Sequence, residues 1–345
     1  MTTRVFIAGG YGVFGSQIAQ ELARDGHPLT IAGRDGSKAA KFAAACGGDA
    51  RGVPLDIRNK ADCRKAFAGH AVVVHCAGPF AERDTTVLES CLESRCHYVD
   101  IADDRRYVAK VRGFDDRFQQ AGLAAAYGCS SLPGISGALA SRLRDQSPEP
   151  PARIRVTLFI GNKNAKGEAA VRSVFRNLEK DIRAPQGTIR AFGDPETVSL
   201  PAPWGRRSVL NFESPEYDLF PEQFGAEAVS VKLGFELRMV HRGLALLARL
   251  PESWRWALLK PLVRTGNALR FLGSSGGAVK VEFFYKDGSV REETLFAPEK
   301  GQRMAILPAV FVVRKLLSEG VKTAGAKTSY EILGAEGLRS MRLSC

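Results

Sequence analysis

The sequence has 345 residues, of which 45% are hydrophobic and 25% charged, and a formal net charge of +12. That balance excludes a disordered or collagen-like chain, and the length suits two domains better than one. No apolar run approaches the roughly 18 residues of a membrane-spanning helix, and the N-terminus lacks the order of a secretory signal, so a cytoplasmic protein is expected. The seven cysteines (Cys46, Cys63, Cys76, Cys91, Cys96, Cys129 and Cys345) are odd in number and form no CxxC pair. They read as reduced thiols, and with five scattered histidines no metal site is expected.

The first half of the chain alternates short apolar runs with helical stretches. Val5–Ala8, Leu29–Ala32, Val53–Leu55, Val72–Cys76, Tyr98–Ile101 and Leu123–Tyr127 read as strands covered on both faces. Phe14, Ile18 and Leu22 share one helical face, and further helices are expected near 36–46, 60–67, 84–95, 104–120 and 134–145. Such alternation predicts an α/β Rossmann-type, doubly wound parallel sheet over residues 1–148. The proline-rich "RDQSPEPPAR" (Arg144–Arg153) reads as the boundary.

Beyond it the period changes to two. Ile154–Ile160, Val229–Leu237 and Val279–Tyr285 alternate, and "KDG" turns the last into Val290–Phe296. Val171, Val174, Phe175, Leu178 and Ile182 form a helical stripe, and Gly193–Glu196 reads as turn punctuation. Residues 149–300 therefore predict a second, α+β domain on a mixed sheet for substrate and dimer contacts. Residues 301–345, with a helix over Met304–Leu317, are expected to return to the first domain. The basic excess belongs to the later part: residues 1–150 carry 19 Lys and Arg against 17 acids, and residues 151–345 carry 30 against 20.

Gly10-Tyr11-Gly12-Val13-Phe14-Gly15 fits G-x-G-x-x-G between a predicted strand and a predicted helix. Gly10 is expected to make the tight turn, Gly12 to admit a pyrophosphate, and Gly15 to let helix and sheet close together. The helix N-terminus then offers its free N–H groups to the phosphates. At the end of the second strand, Gly33 stands where an NAD site usually has an acid, and Arg34 follows. A guanidinium there suits the 2′-phosphate of NADP, with Ser37 and Lys38 beside it. Asp35 keeps NAD open as a displaced acid. Asp56 is placed to accept from the adenine amino group, and Ala77, Gly78, Pro79 and Phe80 end the fourth strand on the nicotinamide side.

Taken together, "GGYGVFG", "IAGRDGSK", "AGPF", "CHYVDIADD" and "YGCSSLPGISG" resemble the saccharopine dehydrogenase-like oxidoreductases over residues 4–145. The resemblance implies an NADP-dependent Rossmann domain, an inserted substrate and dimerisation domain, and a C-terminal return, for which "PAVFVVRKLLSEG" is the candidate. A homodimer and a small-molecule substrate follow from it as expectations. The reaction it implies is hydride transfer at a C=N, C=O or activated C=C bond. A second glycine register, Gly9, Gly12 and Gly15, fits the extended short-chain dehydrogenases, but Tyr107 has Lys110 three residues on instead of four. A cofactor-binding protein without turnover remains the alternative from another class.

Candidate chemistry lies beyond the carboxyl ends of the strands. Asp100 is a candidate for orienting substrate or taking a proton, with a helix cap as its other reading. Tyr127 and Cys129 are candidates for lining the pocket. His75 is a further acid/base candidate, whereas His97 begins its strand at the wrong end. Asn162–Asn164 and Arg206-Arg207 offer polar clusters for a carboxylate or phosphate, with solvated loops as the plainer reading. Finally, Arg238–Gly273 carries seven Lys and Arg, one acid (Glu252), and Trp254, Trp256 and Phe271 among leucines. That is the profile of a helix at a membrane surface; a pocket cap or dimer surface is the plainer alternative, with Pro251 and Pro261 dividing it into short helices. No nucleic-acid recognition module is visible.

Overall fold

Residues 3–164, 168–178, 181–248 and 250–343 are described by a computed structural model. The first strands and helices run in strict alternation: β1 (Val5–Ala8), α1 (Val13–Arg24), β2 (Leu29–Gly33), α2 (Gly36–Cys46), β3 (Ala50–Pro54), α3 (Lys60–Phe67) and β4 (Val72–His75). Then follow α4 (Thr86–Glu93), β5 (His97–Asp100), α5 (Arg105–Arg112), α6 (Asp115–Ala121) and β6 (Ala124–Tyr127). One long helix was expected over 104–120; Gly113 and Phe114 break it into α5 and α6.

The middle of the chain forms α7 (Ser136–Asp145), β7 (Arg153–Ile160), α8 (Glu168–Asn177), β8 (Asp181–Ala184), β9 (Gly187–Arg190), β10 (Glu196–Leu200) and β11 (Gly205–Asn211). It continues through α9 (Glu216–Phe224), β12 (Ala228–Phe235), α10 (Arg238–Ala248), α11 (Glu252–Ala268), β13 (Gly277–Phe284), β14 (Val290–Ala297) and α12 (Gly301–Met304). The last elements are α13 (Leu307–Glu319), β15 (Gly325–Thr328) and α14 (Ser329–Leu343).

Two units result among the described residues: one contains residues 3–130 together with 305–343, the other begins at Ser131 and ends at Met304. The chain thus passes between units well before the proline-rich stretch. The reason is α7, which packs on β13, β14 and α9, so that Arg142 pairs with Glu293 at 3.3 Å.

In the first unit seven parallel strands lie in the order β3-β2-β1-β4-β5-β6-β15. The order reverses between β1 and β4, which opens a crevice at their carboxyl ends. All four residues of β1 are fully buried, as are Val72, Val73 and Val74 of β4. Both sheet faces are covered, which is why these strands show no alternation. Helix α1 buries Ile18, Ala19 and Leu22. Helix α13 packs on α1, β4 and β5 and buries Leu307, Val310, Val312, Val313 and Leu316. Arg314 on its outer side grips Asp25 with two hydrogen bonds of 2.8 and 3.0 Å.

The second unit is built on a six-stranded mixed sheet, β10-β11-β12-β7-β13-β14, in which β12 and β7 are parallel and the other pairs antiparallel. Val156 has Val231 and Val281 as cross-strand neighbours on an apolar face. The intervening residues carry charge. Arg155 pairs with Glu282 at 2.7 Å and Glu196 at 3.1 Å, and Glu196 also takes Lys232 at 2.5 Å. Glu196 is therefore an anchor of this ion network rather than part of a plain turn. A largely buried pair such as Arg155–Glu282 adds little net stability because both ions lose water, but removing one ion strands its partner. Ile182, assigned by its spacing to the helical stripe, lies instead on β8, where it is fully buried.

Helices α10 and α11 join α8 around a second core of Phe175, Leu178, Leu244 and Leu259. Pro261 does not end a helix as expected; α11 runs through it for 17 residues. No helix among the described residues is long and apolar enough to cross a membrane.

Candidate functional site

The glycine loop links β1 to α1 at the crevice. The left-handed backbone that the turn requires falls on Gly9, with φ +77°, and not on Gly10 as the spacing suggested. A Cβ on Gly9 would stand 2.9 Å from the Ala77 amide nitrogen, so this glycine also lets the ends of β1 and β4 approach. Gly10 is needed for packing, since its Cβ would meet Ile31 and the Ile7 carbonyl at 2.9 Å. Gly15 is the most constrained: its Cβ would lie 2.3 Å from the Gly9 carbonyl oxygen. Both glycine registers thus use one compact loop.

Gly12 is the N-cap of α1 and, lacking a side chain, leaves the helix uncapped; no acid occupies the first turn. By contrast, Asp35, Asn59 and Asp104 cap α2, α3 and α5 with side-chain oxygens. The first turn of α1, at Val13, Phe14 and Gly15, is thereby left for an anion, with the positive end of the helix dipole behind it.

At the end of β2 the Tyr11 ring lies against Gly33. A Cβ there would stand 2.4 Å from the ring, and the Tyr11 hydroxyl accepts from the Asp35 amide at 3.1 Å. The space an acidic side chain would take is filled. Asp35 is not a displaced acid either: its carboxylate accepts from the Lys38 amide at 3.0 Å and pairs with the Lys38 ammonium at 3.4 Å. That amide holds the Asp35 carboxyl below its usual range. Arg34, Ser37 and Lys38 are exposed.

Asp56 is held by Arg58, whose Nε lies 3.0 Å from each carboxylate oxygen. Arg58 pulls the Asp56 carboxyl down to about 2, and the charge of Arg34 contributes. Arg58 is a second guanidinium at this strand end. Two residues beyond Asp56 and in an irregular segment, it carries no motif in the sequence.

Ala77, Gly78, Pro79 and Phe80, expected on the nicotinamide side, form the turn that follows β4. Arg83 fastens this turn by donating to the Ala77 carbonyl at 2.9 Å and the Gly78 carbonyl at 3.0 Å. No sequence signal marked Arg83, since it lies in an irregular segment. His75 is fully buried, and its Nδ1 accepts from the Ala77 amide at 3.3 Å. Burial, helped by Arg83, pushes it down to about 3. A neutral, enclosed imidazole is no proton donor at neutral pH, so His75 serves packing against Phe80, 5.0 Å between ring centres.

Asp100, Tyr127 and Cys129 meet at the ends of β5 and β6. Asp100 is fully buried; its Oδ1 accepts from the amides of Ala102 (2.9 Å) and Gly128 (2.8 Å), and its carbonyl accepts from the Cys129 amide at 2.8 Å. Burial pushes the carboxyl up to about 6 against those two amides. The arrangement braces two adjacent strand ends. The Cys129 thiol is fully buried and raised well above its usual value by burial and by Asp100, so it offers no thiolate. Tyr127 is buried as well, at 3% exposure.

Tyr107 is buried and hydrogen-bonded to the Tyr98 hydroxyl at 2.8 Å, while Lys110 reaches the Arg83 carbonyl at 3.2 Å. A tyrosine–lysine catalytic pair is not assembled here. Asn162 and Asn164 spend their side-chain amides on backbone carbonyls of Leu269, Leu272, Gly161 and Gly276. They brace a loop. Among the described residues no cluster could hold a metal ion, and the six described cysteines are free; Cys345 lies outside the described residues.

Residues 5–126 match the model of the saccharopine dehydrogenase NADP-binding domain. That part of the chain is similar to the NADP-binding domain of saccharopine dehydrogenases. Carboxyaminopropylagmatine dehydrogenase of Synechocystis is 30% identical over 145 residues, which cover 39% of this chain and 36% of that protein. A saccharopine dehydrogenase-like oxidoreductase of Arabidopsis thaliana, named as probable and mitochondrial, is 24% identical over 111 residues, 31% of this chain and 24% of that one. The chain thus matches about a third or less of the length of these two curated relatives.

Among solved structures, saccharopine dehydrogenase (L-Glu forming) of Saccharomyces cerevisiae superposes with a TM-score of 0.65 at 12% identity, covering 99% of this chain and 96% of that one. The saccharopine dehydrogenase fold therefore extends over both units. The glycine loop is compatible with the NADP that the matched domain model names. Gly9 and Gly15 let the loop pack tightly on itself and on the end of β4, and the amides of Val13, Phe14 and Gly15 face no capping side chain.

Proposed function

We propose that this protein is an NADP-dependent oxidoreductase that moves a hydride to or from a C=N, C=O or activated C=C bond of a small substrate. The observation that carries the cofactor choice is the end of β2. There Tyr11 fills the slot of the NAD-type acid, Asp35 is spent on a helix cap, and Arg34 stands exposed. Bound NADP supplies the hydride chemistry. The amides at the start of α1 would hold its pyrophosphate, Arg34 its 2′-phosphate, and the Ala77–Phe80 turn its nicotinamide side.

Asp100 acts as a brace rather than an acid, and Cys129 and Tyr127 as packing at the strand ends. Their burial, with that of His75, favours a second reading, a protein that binds NADP without turnover. A homodimer belongs to the proposal through the family resemblance. The test is a panel of imine, carbonyl and enoyl substrates followed by nicotinamide absorbance, with NADPH and NADH in parallel. Turnover with NADPH supports the enzyme. NADPH binding with no oxidation or reduction across all three bond types supports the second reading.

A further inference from the structure

Helix α11 is apolar on two opposite sides. Its inner side, Trp256, Leu259, Leu262 and Val263, packs with Phe175 and Leu178. At 100° per residue, Trp254, Ala257, Pro261 and Ala268 fall on the outer side with the polar Thr265 among them and Leu258 at its margin, and all are exposed. Trp254 is 65% exposed, and Phe271, in the turn after the helix, 71%. Leu272 beside it and Met239 and Leu246 on α10 are exposed too. An outer helix face is ordinarily polar, and contiguous exposed apolar surface marks a place where something docks.

The occupant follows from the charge. The same arithmetic puts Lys260 and Arg264 along one edge of the outer stripe, and both are exposed, as is Arg270. Lys260 and Arg264 have no acidic partner among the described residues. Residues 238–273 hold seven cations and one acid. A second copy of this face, brought up by a two-fold axis, would oppose cations to cations with one acid per side to compensate. An anionic bilayer answers both features: its headgroups take the Lys and Arg, and its interface takes the tryptophan and phenylalanine.

We propose that the outer face of α11, with the turn through Phe271, docks on the surface of an anionic lipid bilayer. The helix lies in the interface plane with Trp254, Leu258 and Phe271 dipped below the headgroups and Lys260, Arg264 and Arg270 at phosphate level. This binding is independent of the cofactor and of turnover.

The test is co-sedimentation of the whole protein with vesicles of phosphatidylcholine, with and without phosphatidylglycerol, at physiological salt. Binding on the order of tenfold tighter to the anionic vesicles is expected, with a blue shift of tryptophan emission that Trp254→Phe removes. Trp254→Glu with Phe271→Glu should abolish binding, and Lys260→Gln with Arg264→Gln should weaken it and erase the preference for anionic lipid. The second pair is a surface charge change, and unchanged circular dichroism melting confirms that each variant is folded. Wild-type protein that stays in the supernatant with anionic vesicles overturns the proposal. So does equal sedimentation of the Glu variants. A dimer that the Glu variants convert to monomer, with no vesicle binding by wild type, assigns the face to a second copy instead.

Discussion

The Tyr11 ring rests on the bare backbone of Gly33, so close that a single Cβ at position 33 would intrude to 2.4 Å. The same tyrosine accepts a hydrogen bond from the Asp35 amide at 3.1 Å. Two positions 22 residues apart in sequence therefore share one volume at the mouth of the site. Gly33→Ala must drive the ring aside and break that hydrogen bond, at a cost of about 1 kcal/mol. In a Tyr11→Ala background the same substitution should cost close to nothing. A urea-denaturation double-mutant cycle measures the coupling, and additive effects would refute the contact.

Gly15→Ala is expected to be far more severe. Its Cβ would meet the Gly9 carbonyl at 2.3 Å, a backbone atom that no rotamer change can move away. Loop and helix must separate, costing roughly 2–4 kcal/mol and most of the NADPH affinity. Thermal melting with and without NADPH reports both losses. A variant that melts like wild type and still gains stability from NADPH would contradict the close packing of Gly15 on Gly9.

Arg83 gives a milder case. Its guanidinium holds two carbonyls of the Ala77–Phe80 turn at 2.9 and 3.0 Å, and only a planar fork reaches both. Arg83→Ala should raise the apparent Kd for NADPH roughly tenfold, with Arg83→Lys intermediate. Titration of intrinsic fluorescence checks the order, and unchanged affinity in both variants would show that the turn stands without it.

Asp100 makes stability depend on pH in an unusual direction. Its folded value, about 6, is raised above the ordinary 3.8, so between these values the folded chain binds the extra proton. The group therefore destabilises above pH 6, and the penalty is relieved as pH falls from 6 toward 4. His75, held down near 3 from 6.5, acts oppositely over much of that range and masks the trend in wild type. Asp100→Asn keeps an acceptor for the Ala102 and Gly128 amides and removes the charge. It should be more stable than wild type by roughly 1–3 kcal/mol at pH 8, with the gap closing as pH falls below 6. Denaturation at several pH values tests this; a gap independent of pH would show that Asp100 is not charged in the fold.

Much of the first unit was legible because fully buried parallel strands leave short apolar runs and glycine marks their ends. The strand β15 was not: "GAKT" (Gly325–Thr328) is too short and too polar, and it forms a strand only because β6 offers it a free edge. The boundary at Ser130 was hidden because α7 continues the strand–helix rhythm while packing in the other unit. The glycines marked the turn between β1 and α1, but sequence spacing cannot tell which of Gly9 and Gly10 turns left-handed. Arg58 and Arg83 were missed for a common reason: each acts from an irregular segment, with no periodicity to single it out. The charge row through Arg155 and Glu196 also escaped notice, since alternation shows which residues share a face and not what lies opposite them across the sheet.

Arg34, exposed at the end of β2 where Tyr11 fills the place of an acid on position 33, is assigned the choice of NADP. The most direct measurement is the Kd of NADPH and of NADH for wild type and for Arg34→Glu by isothermal titration. Wild type should bind NADPH at least tenfold tighter, and the variant should lose on the order of 10- to 100-fold for NADPH while NADH changes little. Equal losses for both cofactors, or a wild type that binds NADH as tightly as NADPH, would contradict the account.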